Sequence, residues 1–209
     1  MIKNNMTVLF QGDSITDCGR LEDEYTEMGN GYANQIASDF TARYPHLNVK
    51  FINRGISGNR VCDLADRWTQ DCIDLKPDVL SILIGINDVW RRFDSNDPTS
   101  VEDYERVYRD ILLRVKNETK AKLVLCEPFV LPVPQDRVDW RVDLDPKIQA
   151  VRKLAKEFNA IYIPLDGIFA AASTLKSCDT WAGDGVHPSQ VGHALIANAW
   201  LDAVCKAAD

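Results

Sequence analysis

The sequence predicts an α/β protein on a doubly wound parallel sheet. Short apolar runs of strand length alternate along the chain with amphipathic stretches at helical spacing, the pattern of successive βα units joined by right-handed crossovers. Val79-Leu80-Ser81-Ile82-Leu83-Ile84 is apolar almost throughout, as expected of a central strand covered on both faces. Thr7-Val8-Leu9-Phe10 stops at Gly12 and hands over to Asp13-Ser14, which reads as a strand end turning toward a helix. The 209 residues suffice for one sizeable core, and no shift in composition divides them, so one domain spanning residues 1–209 is expected.

A glycine-bearing loop from Thr16 to Gly31 follows the first strand. Tyr32, Ile36, Ala37 and Phe40 then recur at helical spacing as far as Arg43, and Pro45 ends that helix. Val49 to Asn53 is the second strand, leading into Arg54-Gly55-Ile56-Ser57-Gly58-Asn59. A helix over Val61 to Leu75 places Leu64, Trp68, Cys72 and Leu75 on one face. After the third strand come Gly85-Ile86-Asn87-Asp88 and a helix capped by Ser100 with Asp103, its core face Val101, Tyr104, Val107, Ile111, Leu112 and Val115. Lys122 to Cys126 is the fourth strand. Glu127 to Asp145 carries three prolines and no periodicity, the pattern of a functional loop or lid over the sheet edge. Asp145-Pro146 reads as N-cap and first residue of the next helix, with Ile148, Val151, Leu154, Ala155 and Phe158 inward. Ile161 to Ile163 is a fifth strand. A small helix over Ile168 to Leu175, a loop over Thr180 to Pro188 and a last helix opened by Ser189 and containing Val191, Leu195 and Val204 complete the chain.

Composition narrows the function. Apolar residues at 45% and charged residues at 26% are those of an ordinary globular protein. A net charge of -7 argues against nucleic acid or an anionic membrane as partner, because both demand a basic face. There is no signal-peptide core and no stretch approaching the roughly 18 apolar residues of a membrane helix. Six scattered cysteines without a C-x-x-C pair read as buried or idle thiols in a reducing, cytoplasmic setting.

Ser14, Gly58 and Asn87 share one address, just past the C-terminal end of a predicted strand, where ligands sit in open parallel sheets. A serine there is a candidate nucleophile in need of a base, an orienting group and oxyanion donors. Asp184-Gly185-Val186-His187 supplies the first two: a carboxylate three residues before an imidazole can accept from Nδ1-H and leave Nε2 as the base. The backbone N-H groups of Ser14 and Gly58 and the side-chain amide of Asn87 are candidate oxyanion donors. Each piece alone has a plain structural reading: a turn or N-cap at Asp13-Ser14, turn chemistry at Gly58, a helix start at Asn87-Asp88, a surface ion pair at Asp184 and His187. Their occurrence together, at strand ends and in this order, is what points to catalysis.

Gly-Asp-Ser near the start, a glycine in the second block, Gly-Ile-Asn-Asp in the third and Asp-Gly-Val-His near the end resemble the SGNH hydrolases, also called the GDSL esterase and lipase family. The resemblance implies a three-layer α/β/α sandwich with a flavodoxin-like, five-stranded parallel sheet, a nucleophile at Ser14, an acid and base at Asp184 and His187, and oxyanion donors at Ser14, Gly58 and Asn87. The longer strings around Ser14, Gly58 and Asn87 are similar to the branch of acetylxylan esterases that deacetylate xylo-oligosaccharides. That branch implies an intracellular enzyme without metal or other cofactor, a small acetylated saccharide as substrate, and assembly into homo-oligomers. In that branch a tryptophan directly precedes the aspartate; here Ala182 and Gly183 separate Trp181 from Asp184, a departure that bears on the acyl or sugar pocket and not on the triad.

Trp90 and Arg91, with Arg92, either line a sugar subsite or anchor the following loop; Trp181 has the same two readings, and Asp13 joins them as a candidate substrate contact. Asp17 and Arg20 are expected to form an ion pair that holds the serine loop. There is no Gly-x-Ser-x-Gly elbow, Walker A or Gly-x-Gly-x-x-Gly string, and His46, His187 and His193 are a poor set for a metal. The expected activity is a serine esterase removing O-acetyl groups from carbohydrate. The alternatives are a short-chain lipase or thioesterase on the same machinery, which the polar residues between Gln135 and Asp143 disfavour, and a non-enzymatic carbohydrate-binding protein.

Overall fold

The computed structural model describes residues 2–22 and 27–206; part of the expected serine loop, residues 23–26, and the extreme ends of the chain lie outside the described residues. Five strands, β1 (Thr7–Gly12), β2 (Lys50–Asn53), β3 (Val79–Leu83), β4 (Lys122–Cys126) and β5 (Ile161–Ile163), pair in parallel in the order β2-β1-β3-β4-β5. β3, buried at all five positions, lies at the centre, and the short, half-covered β2 and β5 form the edges. Between them run α1 (Ser14–Asp17), α2 (Tyr32–Arg43), α3 (Val61–Asp66), α4 (Ile86–Asp94), α5 (Val101–Glu118), α6 (Arg141–Glu157), α7 (Leu165–Ser173), α8 (Cys178–Trp181) and α9 (Gln190–Lys206).

Strand periodicity divides the core in two. Val8, Phe10, Val79, Leu83 and Val124 face one layer, where Tyr32, Ile36 and Phe40 of α2 and Ile196, Trp200 and Val204 of α9 cover them. Leu9, Leu80, Ile82, Leu123 and Leu125 face the other, under Leu64, Trp68, Tyr108, Leu112 and Leu154 from α3, α5, α6 and the turn after α3. Each such side chain contributes about 1.5–3 kcal/mol of apolar burial. Two buried indole N-H groups find partners across the layers: Trp200 donates to Ser81 Oγ at 3.0 Å and Trp68 to the Ile111 carbonyl at 3.1 Å. This is the three-layer sandwich with a flavodoxin-like parallel sheet expected from the sequence.

The boundaries differ in places. The helix expected over Val61 to Leu75 is α3 followed by a widened π turn at Thr69–Ile73, which keeps Trp68 and Cys72 inward. α6 starts at Arg141 rather than at Pro146, because Trp140, 2% exposed, anchors the preceding 3-10 turn (Gln135–Trp140) against the core. Asp145 therefore pairs with Arg141 instead of capping the helix. Pro146 sits inside α6 on its solvent face, where the carbonyl of the exposed Val142 can turn to water. The Glu127–Asp145 segment is less a lid than a wall, with Phe129, Val130 and Leu131 all in the core. α7 begins directly after β5, and α8 occupies part of the expected loop at Thr180. Val191 of α9 faces solvent at 52% exposure.

One buried charge ties the layers together near the sheet edge. Lys147 of α6 is fully buried, its Nζ 2.8 Å from Asp143 Oδ2, and Asp143 also receives Arg92 of α4 at 3.3 Å. Removing the cation leaves the buried Asp143 carboxylate with only the longer Arg92 contact. Lys147→Met should lower the unfolding free energy by about 3–5 kcal/mol, read from urea denaturation; a loss below about 1 kcal/mol would show the pair to be dispensable.

Candidate active site

Register decides where the site forms. Gly12 of β1 pairs with Leu83 of β3, so the chain leaves both strands side by side, at the point where successive connections run to opposite ends of the sheet. Past Gly12, Asp13 caps α1: its Oδ1 accepts from the Ile15 N-H at 3.0 Å, and Ser14 is the first helical residue. Past Leu83, Gly85 turns the chain into α4, which carries Asn87, Asp88 and Trp90. The helix-start reading of Asn87-Asp88 and its place beside the serine are thus both realised.

The segment after β2 is stitched against the serine turn. The Arg54 N-H donates to the Phe10 carbonyl at 2.8 Å and the Ile56 N-H to the Gly12 carbonyl at 3.1 Å. Asn53, buried, donates through Nδ2 to the Thr16 carbonyl at 2.6 Å and accepts the Gly55 N-H at 2.8 Å. Asp17 does not form the expected ion pair with Arg20. Its carboxylate accepts the Ser57 N-H and hydroxyl at 3.1 and 2.7 Å, while Arg20 Nε donates to the Gly55 carbonyl at 2.6 Å, so the two side chains hold the same loop separately. Gly58 ends this loop at φ +83°, with open space where a Cβ would be. Asn87 Nδ2 donates to the Asn59 carbonyl at 3.1 Å, bringing the third strand end onto this turn and leaving its second amide hydrogen without an acceptor among the described residues. Neither the Ser14 nor the Gly58 N-H has an acceptor among the described residues.

The Asp184–His187 loop reaches the same edge from the other end of the chain. Ser14 Oγ lies 2.9 Å from His187 Nε2, and His187 Nδ1 lies 2.6 Å from Asp184 Oδ2. An ionised carboxylate only accepts, so Nδ1 carries the hydrogen and Nε2 accepts from the serine hydroxyl. Asp184 Oδ1 accepts the Val186 and His187 N-H groups at 3.0 and 2.7 Å. Burial raises the Asp184 pKa, but these hydrogen bonds outweigh it and hold the carboxyl well below the usual carboxylate range. The Asp184 hydrogen bond raises the His187 pKa above its ordinary value, against partial desolvation. Gly185, at φ +80°, permits the loop's close approach: a Cβ would meet the Val133 and Leu131 carbonyls at 2.2 and 2.6 Å. The wall built by Glu127–Asp145 is what the loop rests on, through Leu131 N-H to the Gly185 carbonyl at 2.8 Å and Arg137 Nε to the Asp184 carbonyl at 3.3 Å.

The other candidate contacts divide. Trp90 is half-buried with its ring centroid 5.9 Å from that of His187, backed by Trp140 at 5.2 Å and by the Arg137 guanidinium lying over both indoles. Asp13 is 1% exposed and lies under the turn, offering no surface to a substrate; burial pushes its carboxyl up to about 7, opposed by the Ile15 N-H and the nearby His187. Arg91 pairs with Asp94 on its own helix, and Arg92 with Asp143. Trp181 ends α8 with its carbonyl accepting the Ser189 N-H, and its ring does not join the Trp90 stack. Most charges of the Gln135–Asp143 segment are engaged internally: Arg137 with Asp136, Arg141 with Asp145 and Asp166, Asp143 with Lys147. They give little support for a sugar over an acyl chain. Sequence reasoning missed Trp140 and Asn53: Trp140 stood in an aperiodic segment, and Asn53 read as the end of a strand. Asp88 is fully buried, accepts the Val61 N-H at 3.1 Å and is pushed by burial up to about 7. Among the described residues no cluster of three or more His, Cys, Asp or Glu side chains could hold a metal ion, and no helix is long and apolar enough to cross a membrane.

Comparison with known proteins gives the family and agrees with the fold. The GDSL-like Lipase/Acylhydrolase family matches over residues 10–195. An acetylxylan esterase from Geobacillus stearothermophilus is 36% identical over 202 residues, 93% of this chain and 91% of that protein. The crystal structure of an acetylxylan esterase from the same organism superposes with a TM-score of 0.89 at 35% identity, covering 97% of this chain and 95% of the other. A protein titled a GDSL-like lipase, from Parabacteroides merdae, superposes with a TM-score of 0.93 at 40% identity, covering 98% of both chains. The chain belongs to the GDSL-like lipase/acylhydrolase family, the SGNH hydrolases, and is an acylhydrolase of carboxylic esters.

Proposed function

We propose that this protein is a serine esterase that removes O-acetyl groups from small saccharides, xylo-oligosaccharides foremost, through an acetyl-enzyme. The observation that carries the reading is the hydrogen-bonded line Asp184–His187–Ser14, at 2.6 and 2.9 Å, beside unoccupied N-H donors. Ser14 Oγ attacks the acetyl carbonyl as His187 Nε2 takes its proton, and Asp184 holds the imidazole and stabilises its charged form. The oxyanion is received by the Ser14 and Gly58 N-H groups and the free Asn87 amide hydrogen. His187 returns its proton to the departing sugar oxygen, then deprotonates a water that releases acetate and frees Ser14. Trp90 offers an aromatic face to the sugar ring. The acetyl and sugar specificity is supported by the relatives named acetylxylan esterase. The relative titled a GDSL-like lipase favours a longer acyl chain as a second reading.

Ser14→Ala should abolish hydrolysis of para-nitrophenyl acetate with an unchanged circular dichroism spectrum; retained turnover would end the proposal. Asn87→Ala should lower kcat by roughly 10²–10³, and a loss under about twofold would remove Asn87 from the oxyanion site. Comparing kcat/KM for acetyl, butyryl and octanoyl esters separates the two readings: preference for octanoyl selects the lipase.

The pH dependence follows from the base. His187 must be neutral to accept the Ser14 proton, and its pKa is raised, so kcat/KM should fall on acidification with a midpoint above the ordinary histidine value of 6.5. Asp184→Asn removes the group that raises it, so the midpoint should move to lower pH while the rate drops roughly 10⁴-fold. Asp13, itself pushed up to about 7, also raises the His187 pKa and stands in both proteins, so the difference between the two midpoints reports the loss of Asp184. An unmoved midpoint would mean that Asp184 does not act through His187.

A further inference from the structure

We propose that Arg67 holds the oxyanion-binding turn in register with the nucleophile, a positioning role that rests on the reading of Ser14, Gly58 and Asn87 given above. Arg67 lies just past α3, and its side chain is 14% exposed. Its guanidinium makes contacts in four directions. Nε donates to Asn59 Oδ1 at 2.8 Å, Nη1 to the Arg54 carbonyl at 2.8 Å and to Asp71 Oδ2 at 3.1 Å, and Nη2 to the Gly12 carbonyl at 3.3 Å. One rigid planar group thereby joins the last residue of β1, two residues before Ser14, to both ends of the loop that presents Gly58. Asn59 relays the link onward, since its carbonyl accepts from Asn87 Nδ2.

The chemistry of the side chain matters here. A guanidinium presents five N-H donors in a fixed fork and reaches several carbonyls at set angles, whereas a lysine ammonium is a point charge on a flexible stem. Asp71, four residues on, pairs with the guanidinium and neutralises its charge at the sheet edge. Three of the acceptors, the Gly12 and Arg54 carbonyls and Asn59 Oδ1, belong to two of the three segments that carry the oxyanion donors, those of Ser14 and Gly58. Its loss should therefore displace the turn more than it disturbs the fold, and a displacement of about 1 Å at an oxyanion site can cost roughly 10²-fold in rate.

The test is steady-state kinetics with para-nitrophenyl acetate on Arg67→Met, Asn87→Ala and the double variant, with Ser14→Ala as control. The role predicts that Arg67→Met lowers kcat by roughly 10- to 100-fold with KM within about twofold of the parent. It also predicts that the same substitution costs less than about threefold once Asn87 is already Ala, because the two act through one site. Arg67→Lys, which keeps the charge but not the fork, should fall between parent and Arg67→Met, and it serves in the cycle if the methionine variant does not fold. A kcat within about twofold of the parent in whichever variant folds, or an equal loss in both backgrounds, would overturn the role. Retained activity in Ser14→Ala would instead overturn the underlying reading, so the two failures are distinguishable.

Discussion

Parallel pairing of β1 with β3 is the constraint on which the rest depends. Because Gly12 stands opposite Leu83, the serine turn and the Asn87 helix leave the sheet as neighbours, and the crossover through β2 delivers the Gly58 loop to the same edge. A slip of one residue in that ladder would turn Val8 and Phe10 from one core to the other, so apolar packing on both faces fixes the geometry of a polar site above them. The placement of that site is inherited from core packing. The loops add the stitching: Asn53, Arg20 and Asp17 bind the second segment to the first, and Leu131 with Arg137 braces the Asp184 loop.

The electrostatics follow from which groups keep water. Asp184 is partly open and accepts three hydrogen bonds, so it stays ionised and can steady a charged imidazole. Asp13 and Asp88, both buried, are each pushed up to about 7 and serve to cap helices α1 and α3. The buried histidine is treated oppositely to His187: His193 accepts the Tyr32 N-H through Nδ1 at 3.1 Å, and burial pushes its pKa down to about 4, which keeps it neutral. Environment alone divides two imidazoles of one chain, raising the pKa of His187 and lowering that of His193.

What could be read from the sequence was what local chemistry dictates. The five strands announced themselves by apolar runs, three of the polar blocks by glycines at strand ends, and the fourth by a carboxylate three residues before a histidine in a loop near the chain end. Proline rules misled at Pro146, since an anchored Trp140 starts the helix a turn and a half earlier and solvent tolerates the lost hydrogen bond. The polar look of Gln135 to Asp143 suggested a sugar-facing surface, but ion pairs consume those charges, some local, such as Asp143 with Lys147, and some joining residues far apart in sequence, such as Arg141 with Asp166. Trp140, Asn53 and Arg67 carry no local signature: an indole behind Trp90 or a guanidinium on the Gly12 carbonyl exists only once the sheet has brought distant segments together.

The convergence of four segments on one carbonyl is tested most directly by the crystal structure of the protein after reaction with a small alkyl phosphonate, whose tetrahedral phosphorus mimics the intermediate. The account predicts phosphorus bonded to Ser14 Oγ, the phosphoryl oxygen accepting from the Ser14 N-H, the Gly58 N-H and Asn87 Nδ2, and His187 Nε2 beside the serine oxygen. A phosphoryl oxygen turned to solvent, with Gly58 and Asn87 making no contact to it, would contradict it.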